Sequence, residues 1–134
     1  MPNRVFYISE SRVDHCGPQL RDILEVGSAR NAQLGVTGLL CCSGAHFAQI
    51  LEGGGDSLDA LMASIRRDER HAIVTEWPAA AAADARWFRG WSLAYVFDDR
   101  LEQLLGRLSN RRESLHDVTR ELMRDVDFFQ STRR

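Results

Sequence analysis

Three polar residues stand where the hydrophobic pattern wants apolar ones. Tyr7 shares a strand face with Val5 and Ser9, and Gln49 interrupts the row Phe47, Gln49, Leu51. Asn31 continues a helical stripe made by Leu20, Ile23 and Gly27. A buried amide left unpaired costs on the order of 1–3 kcal/mol, so each of these groups demands a polar partner in the interior. The three either satisfy one another and the backbone as a structural network, or together line a polar, planar ligand. An amide donates from nitrogen and accepts at oxygen, and a phenol does both from one atom, so the set could meet such a ligand with either polarity.

The elements that must carry these residues are legible from periodicity. Residues 4–9 read as a strand, rich in β-branched and aromatic types. Gly17-Pro18 opens a helix running to about residue 32, with Pro18 in the first turn, where a missing N–H costs little. Residues 36–42 and 46–52 form a hairpin across Ser43-Gly44-Ala45. After Gly53-Gly54-Gly55, Asp56 or Ser57 caps a second helix with the apolar face Leu58, Leu61, Met62 and Ile65, ending near Arg67-Asp68. A strand at 71–77 is stopped by Pro78, an alanine-rich connection spans 79–85, and a last strand covers 91–97. The order β-α-β-β-α-β-β predicts an α+β, ferredoxin-like sandwich with both helices on one face of the sheet. Two further helical patterns, at 98–108 and 113–125, carry the stripes Leu101, Leu104, Leu105, Leu108 and Leu115, Val118, Leu122, Val126. The segment VTGLLCC is apolar on both faces, so both sheet faces need cover; the C-terminal helices, or a partner subunit, supply it. The division expected is a core at 1–97 and a helical extension at 98–134.

Composition narrows the chemistry. The chain has 134 residues, 44% hydrophobic and 27% charged, with a formal net charge of −2, so it carries no electrostatic footprint for nucleic acid or anionic membrane. All 17 positive charges are arginine. The absence of lysine excludes Schiff-base catalysis, pyridoxal or retinal attachment and a P-loop. Cys16, Cys41 and Cys42 show no metal-ligand spacing, and adjacent strand residues point to opposite faces, so Cys41 and Cys42 read as unpaired core residues. The glycine run 53–55 lacks P-loop or Rossmann spacing and reads as a turn, and His15, His46 and His116 as solvated. No signal-peptide h-region and no membrane-length apolar run is present, which makes a reduced, cytoplasmic setting the expectation.

Tyr7-Ile8-Ser9, Asn31 followed by Gly35-Val36-Thr37-Gly38, the run Phe47 to Gly53 (FAQILEG), Asp68-Glu69-Arg70-His71 and Trp91-Ser92 together resemble the BLUF domain, a flavin-based blue-light sensor. The likeness covers about residues 3–97, and its F-x-Q-x-L-E-G and D-x-R-H segments occur in the family's order. The resemblance implies noncovalent FAD, with FMN or riboflavin as alternatives, its ring sandwiched by Ile23 and Ile65 between the two helices. It implies that Asn31 bonds the ring's polar edge, that Arg30 lies beside the ring or ribityl chain, and that Asp68 bonds its other polar groups. Arg70 and His71 are implied near the ligand's exposed end, and Tyr7 and Gln49 as the photoactive pair. Trp91 is implied near the glutamine as a signalling residue. Two positions depart from the family: Leu93 replaces a common methionine and loses its weak sulfur acceptor, and Gly27 replaces a common serine.

The function expected on this resemblance is photoreception, not enzymatic catalysis. The 37 residues after the core are too few for a cyclase or phosphodiesterase, so output is expected through a separate effector protein, with the chain itself a homo-oligomer. The competing reading is a ferredoxin-like flavin-binding or protein-interaction module without a photocycle. Reversible colour change separates the two. A purified chain that is yellow and shifts reversibly under blue light supports the first; a colourless chain that refuses added flavin sinks it.

Overall fold

The computed structural model describes residues 2–13, 18–82, 84–110 and 113–132. In chain order these form β1 (Asn3–Ser11), α1 (Pro18–Leu34), β2 (Thr37–Cys42), β3 (His46–Gly53), α2 (Gly55–Arg67), β4 (His71–Ala81), β5 (Ala94–Phe97), α3 (Leu101–Leu108) and α4 (Leu115–Thr132). The sheet order is β4-β1-β3-β2-β5, antiparallel except for the parallel β2–β5 pair. This is an α+β sandwich of the ferredoxin-like type, as the element order predicts.

Alternation along the strands sorts the core into two layers. Val5, Tyr7 and Leu51 pack with Leu58, Leu61 and Met62 of α2, while Leu40, Cys42 and Phe47 pack with Leu20 of α1. On the opposite face Phe6, Ile8, Leu39, Cys41, Ala48 and Ile50 meet Leu101, Leu104, Leu105 and Leu108 of α3 and Val118 and Leu122 of α4. The C-terminal helices therefore cover the second face, and Cys41 and Cys42 are buried on opposite faces as free thiols. Thr75 and Trp77 of β4 reinforce this cover by donating to the backbone oxygens of Ser109 (2.5 Å) and Glu113 (3.0 Å).

Several boundaries differ from the sequence reading. Pro78 does not stop its strand. Trp77 pairs with Phe6 and Ala80 with Arg4, so Pro78 and Ala79 stand opposite Val5 alone in a bulge of an edge strand, where a proline needs no ladder N–H. Helix α2 begins one residue before Asp56 with Gly54 at its N-cap and no side-chain cap, so Asp56 instead sits in the first turn, facing the positive end of the helix. The last strand starts at Ala94, not residue 91. Helix α1 ends at Gly35, whose φ of +68° suits glycine, with Gly35 N–H bonded to Ala32 O and Val36 N–H to Asn31 O in a Schellman-type cap. His46 is not solvated: it is partly buried and hydrogen-bonded to Glu102 of α3, which also accepts from Ser43 and Ala45, so this carboxylate ties the hairpin tip to the C-terminal layer. His15, Cys16, Arg111, Arg112, Arg133, Arg134 and the Val126 side chain lie outside the described residues.

The second-face core yields a direct test. Leu105 is fully buried, whereas Val74 is 48% exposed. Leu105→Ala is expected to lower unfolding free energy by about 2–5 kcal/mol. Val74→Ala should stay within about 0.5 kcal/mol of wild type, both read from urea titration.

Candidate functional site

A cleft opens between α1 and α2 above the sheet, and the alternation of β1 and β3 sets its floor. Tyr7 and Gln49 are direct partners in the antiparallel β1–β3 register, with Leu40 of β2 next in the same row. Both side chains are buried, and the Tyr7 hydroxyl donates to Gln49 Oε1. Helix α1 supplies Ile23, Val26, Gly27, Arg30 and Asn31, and α2 supplies Leu61 and Ile65. Asp68, Arg70 and His71 close one end, with Phe47 and Leu93 completing the wall. The structure thus brings together Tyr7, Ile23, Arg30, Asn31, Gln49, Ile65, Asp68, Arg70 and His71. Val26 and Leu40 are cleft residues that the sequence did not single out, since nothing distinguishes an apolar wall from ordinary core.

The polar groups split into those already satisfied and those left for a ligand. Asn31 is 1% exposed and donates from Nδ2 to Ser92 O at 2.8 Å, which leaves its amide oxygen as an acceptor. Gln49, with its oxygen engaged by Tyr7, keeps its NH2 as a donor without a partner among the described residues. Arg30 reaches across the cleft, donating from Nη1 to Ser64 Oγ at 2.6 Å, while its buried Nε has no partner among the described residues. A buried guanidinium N–H without an acceptor is costly, so this atom marks a place for one. A flat ring edged with carbonyls and an N–H, between aliphatic walls formed by Ile23 and Ile65, matches this set of donors and acceptors.

Burial sets the ionisation of the cleft floor. Burial, and then the neighbouring Cys42 and Asp68, push the Tyr7 phenol far above its ordinary range, so it is a neutral donor at any physiological pH. Burial raises the Cys42 thiol to about 12. Hydrogen bonding from the Arg70 side chain holds the Asp68 carboxyl below its usual value, and Arg70 also bridges to Asp22 of α1 at 3.0 Å. His71 Nε2 donates to Ile65 O at 2.9 Å, and Nδ1 pairs with Ser9 Oγ at 2.7 Å. This bond fixes the imidazole against Tyr7, ring centroids 5.7 Å apart.

Trp91 is not in the cleft. Its side chain is 63% exposed, and it precedes β5 because the chain turns at Gly90 (φ +85°), with Trp91 N–H bonded to Phe88 O. The Trp91 carbonyl accepts from Gly38 N–H at 3.2 Å, so its backbone is held while the indole points outward. Leu93 takes the cleft wall instead, and a Cβ placed on Gly27 would meet its Cδ2 at 3.4 Å. A second cluster escaped the sequence reading. Arg4 and Glu52 pair directly across β1 and β3 on the far face, 2% and 0% exposed, with Nη2–Oε2 at 2.7 Å. The guanidinium also stacks 3.8 Å from the Trp87 ring. Opposite charges at matching alternate positions, 4 with 6 and 8, 52 with 48 and 50, were the available signal.

Comparison with known proteins agrees with this geometry. Residues 3–94 match the family described as sensors of blue-light using FAD. The chain belongs to the BLUF family. Its fold is similar to that of the BLUF protein BlrB in the dark state, with TM-score 0.74 and 29% identity over 93% of this chain and 94% of that one. It is 40% identical over 70 residues to the photoactivated adenylate cyclase subunit beta of Euglena gracilis, which is 51% of this chain but 8% of that protein. It is 32% identical over 103 residues to the blue light- and temperature-regulated antirepressor BluF of Escherichia coli, 77% of this chain and 25% of that one. The BLUF module is thus a flavin-based blue-light sensor that in larger relatives forms a small part of the chain. No helix among the described residues is long and apolar enough to cross a membrane.

The Asp68–Arg70 pair makes the BLUF cleft pH-dependent in a definite direction. A carboxyl whose folded pKa lies below its unfolded value adds stability above about pH 4, lost as pH falls through the folded value. Asp68→Asn should therefore lose less of its urea midpoint between pH 6 and pH 3 than wild type does.

Proposed function

We propose that the chain is a blue-light receptor in which Tyr7 and Gln49 form the photoactive pair and a noncovalent flavin, FAD, lies between α1 and α2. The observation that carries this reading is the buried Tyr7–Gln49 hydrogen bond on the cleft floor, with the Gln49 NH2 left to donate. Ile23 and Ile65 would face the ring from the two helices, Asn31 Oδ1 and Arg30 Nε would meet its polar edge and side chain, and Asp68, Arg70 and His71 would close the far end. FMN and riboflavin share the ring and would use the same contacts. Bound flavin supplies a chromophore that becomes a strong oxidant on excitation.

The residues account for the rest. A phenol whose proton is held tightly by burial does not ionise spontaneously. It releases that proton along its hydrogen bond only when it also gives up an electron. Gln49 Oε1 is the acceptor already in place, so the amide can take the proton and return it in another tautomer or orientation. Either change alters which of its atoms donates toward the cleft. His71, fixed by Ser9 and Ile65, keeps the Tyr7 ring in register while this happens. Output passes to a separate effector protein through the last strand and the C-terminal helices, in a homo-oligomeric, cytoplasmic receptor. Trp91, exposed and two residues before the cleft-wall residue Leu93, would serve the outward side of that relay.

The decisive measurement is the visible spectrum before and after blue light. Wild type should show a reversible red shift. Tyr7→Phe should bind flavin as wild type does and show no shift, because it keeps the ring and loses the proton. A normal shift in Tyr7→Phe would falsify the assignment.

A further inference from the structure

The buried Glu52 carboxylate has more donors than an ion pair requires. Oε2 accepts from Arg4 Nη2 (2.7 Å), Arg4 Nε (3.1 Å) and Trp87 N–H (2.8 Å), and Oε1 from Phe88 N–H (3.0 Å) and Thr37 Oγ1 (3.2 Å). Two of these donors are consecutive backbone amides of the segment between β4 and β5. From there a continuous series of bonds reaches the cleft: Trp91 N–H to Phe88 O at 2.9 Å, Gly38 N–H to Trp91 O at 3.2 Å, and Asn31 Nδ2 to Ser92 O at 2.8 Å. Leu93, the next residue, lines the cleft itself. The stretch 87–93 is therefore a strap with two anchors. One anchor is a fully buried charge on the far sheet face; the other is an amide of the cleft wall. Arg86 secures the strap's start beside this anchor, donating from Nη1 to Gly35 O at 2.9 Å and to Thr37 Oγ1 at 3.2 Å.

The two anchors are unequal. The Glu52 end holds an anion among five donors in a dry interior, where loss of any donor is strongly resisted. The other end, at Ser92, is held only by neutral groups of α1: Asn31, which also faces the ligand space, donates to its carbonyl, and Ser28 Oγ bonds its hydroxyl at 2.9 Å. Gly90, at φ +85°, lies between them at the turn. Glu52 also belongs to the strand that carries Gln49, three residues away on the opposite face, so the carboxylate and the amide share one rigid backbone.

We propose that Glu52 is a positioning residue of the photocycle: it pins Trp87 and Phe88, so that rearrangement in the cleft moves only Trp91–Leu93 against a fixed turn, and the pinned strap returns the site to its dark arrangement. This role rests on the photoreceptor reading above. Loosening the pin lowers the restoring force, so the lit arrangement lasts longer while the chemistry that forms it is untouched.

The test compares Glu52→Asp, which keeps the charge for Arg4 but withdraws the carboxylate from the strap amides, with Arg86→Ala, which frees the strap from its exposed side. Leu105→Ala is the control, destabilised in the same far-face core but outside the strap. Both strap variants should keep the amplitude of the light-induced shift, recover in the dark more than three-fold slower than wild type, and exchange the Phe88 and Trp91 amide hydrogens faster in the dark. Leu105→Ala should recover within two-fold of wild type despite its lower stability. If Glu52→Asp does not fold, Arg86→Ala carries the comparison. Smaller slowing or acceleration in the strap variants, equal slowing in Leu105→Ala, or loss of the shift itself in the strap variants overturns the role. A wild-type chain without any shift refutes the photoreceptor reading, whereas a wild-type shift with normal recovery in the strap variants refutes only the strap.

Discussion

The pairing of β1 with β3 is the constraint on which the rest of the molecule depends. In this antiparallel register Tyr7 stands opposite Gln49 and Arg4 opposite Glu52. Positions of even and odd number face opposite sides of the sheet, so one register creates two polar contacts, one in the cleft and one beneath it. A slip of one residue would turn every one of these side chains to the wrong layer. Such a slip is opposed by the apolar neighbours of each polar pair, since Phe6, Ile8 and Ile50 are buried on one face and Val5 and Leu51 on the other. The hydrophobic pattern thus enforces the geometry of the polar groups, although those groups contribute little to it.

The two layers have different physical characters. Beneath the sheet, α3 and α4 close a continuous apolar core, and the buried charges Arg4 and Glu52 are paired with each other. Such a pair is a weak source of net stability, because desolvation offsets most of the attraction; its value lies in fixing where its many donors sit. Above the sheet, the helices approach without filling the space between them. Gly27 leaves room at the cleft there, and Arg30 spans it with a buried nitrogen left without a partner among the described residues. A lined cleft with an unpartnered buried N–H is the property expected of a ligand site.

How much of this was legible in the sequence depended on whether the governing physics was local. The strand and helix periodicities located nearly all elements, and polar residues in apolar rows pointed at Tyr7, Asn31 and Gln49 before any contact was known. Pro78 misled because its effect depends on strand position: in a central strand it would end pairing, but β4 is an edge and accommodates it in a bulge. Trp91 misled because an apolar run WSLAYVF suggests strand throughout. The turn at Gly90 and the pairing of Trp91 O with Gly38 instead delay the strand to Ala94 and leave the indole outside. His46 reads as solvated from sequence because its partner, Glu102, lies 56 residues away on a helix whose docking no local pattern encodes.

The amino-acid order by itself determined the element types, the alternation that sorts side chains into two faces, and the absence of any lysine chemistry. Those properties follow from short-range sterics and from burial averaged over a strand or a helical turn. Only the tertiary structure decided which polar group meets which: that Tyr7 donates to Gln49 and not to Asn31, that Asn31 instead holds Ser92, and that Glu52 gathers five donors from four residues. Hydrogen bonds are directional and short, so they depend on the packing of distant segments to within a few tenths of an ångström, and no periodicity carries that information.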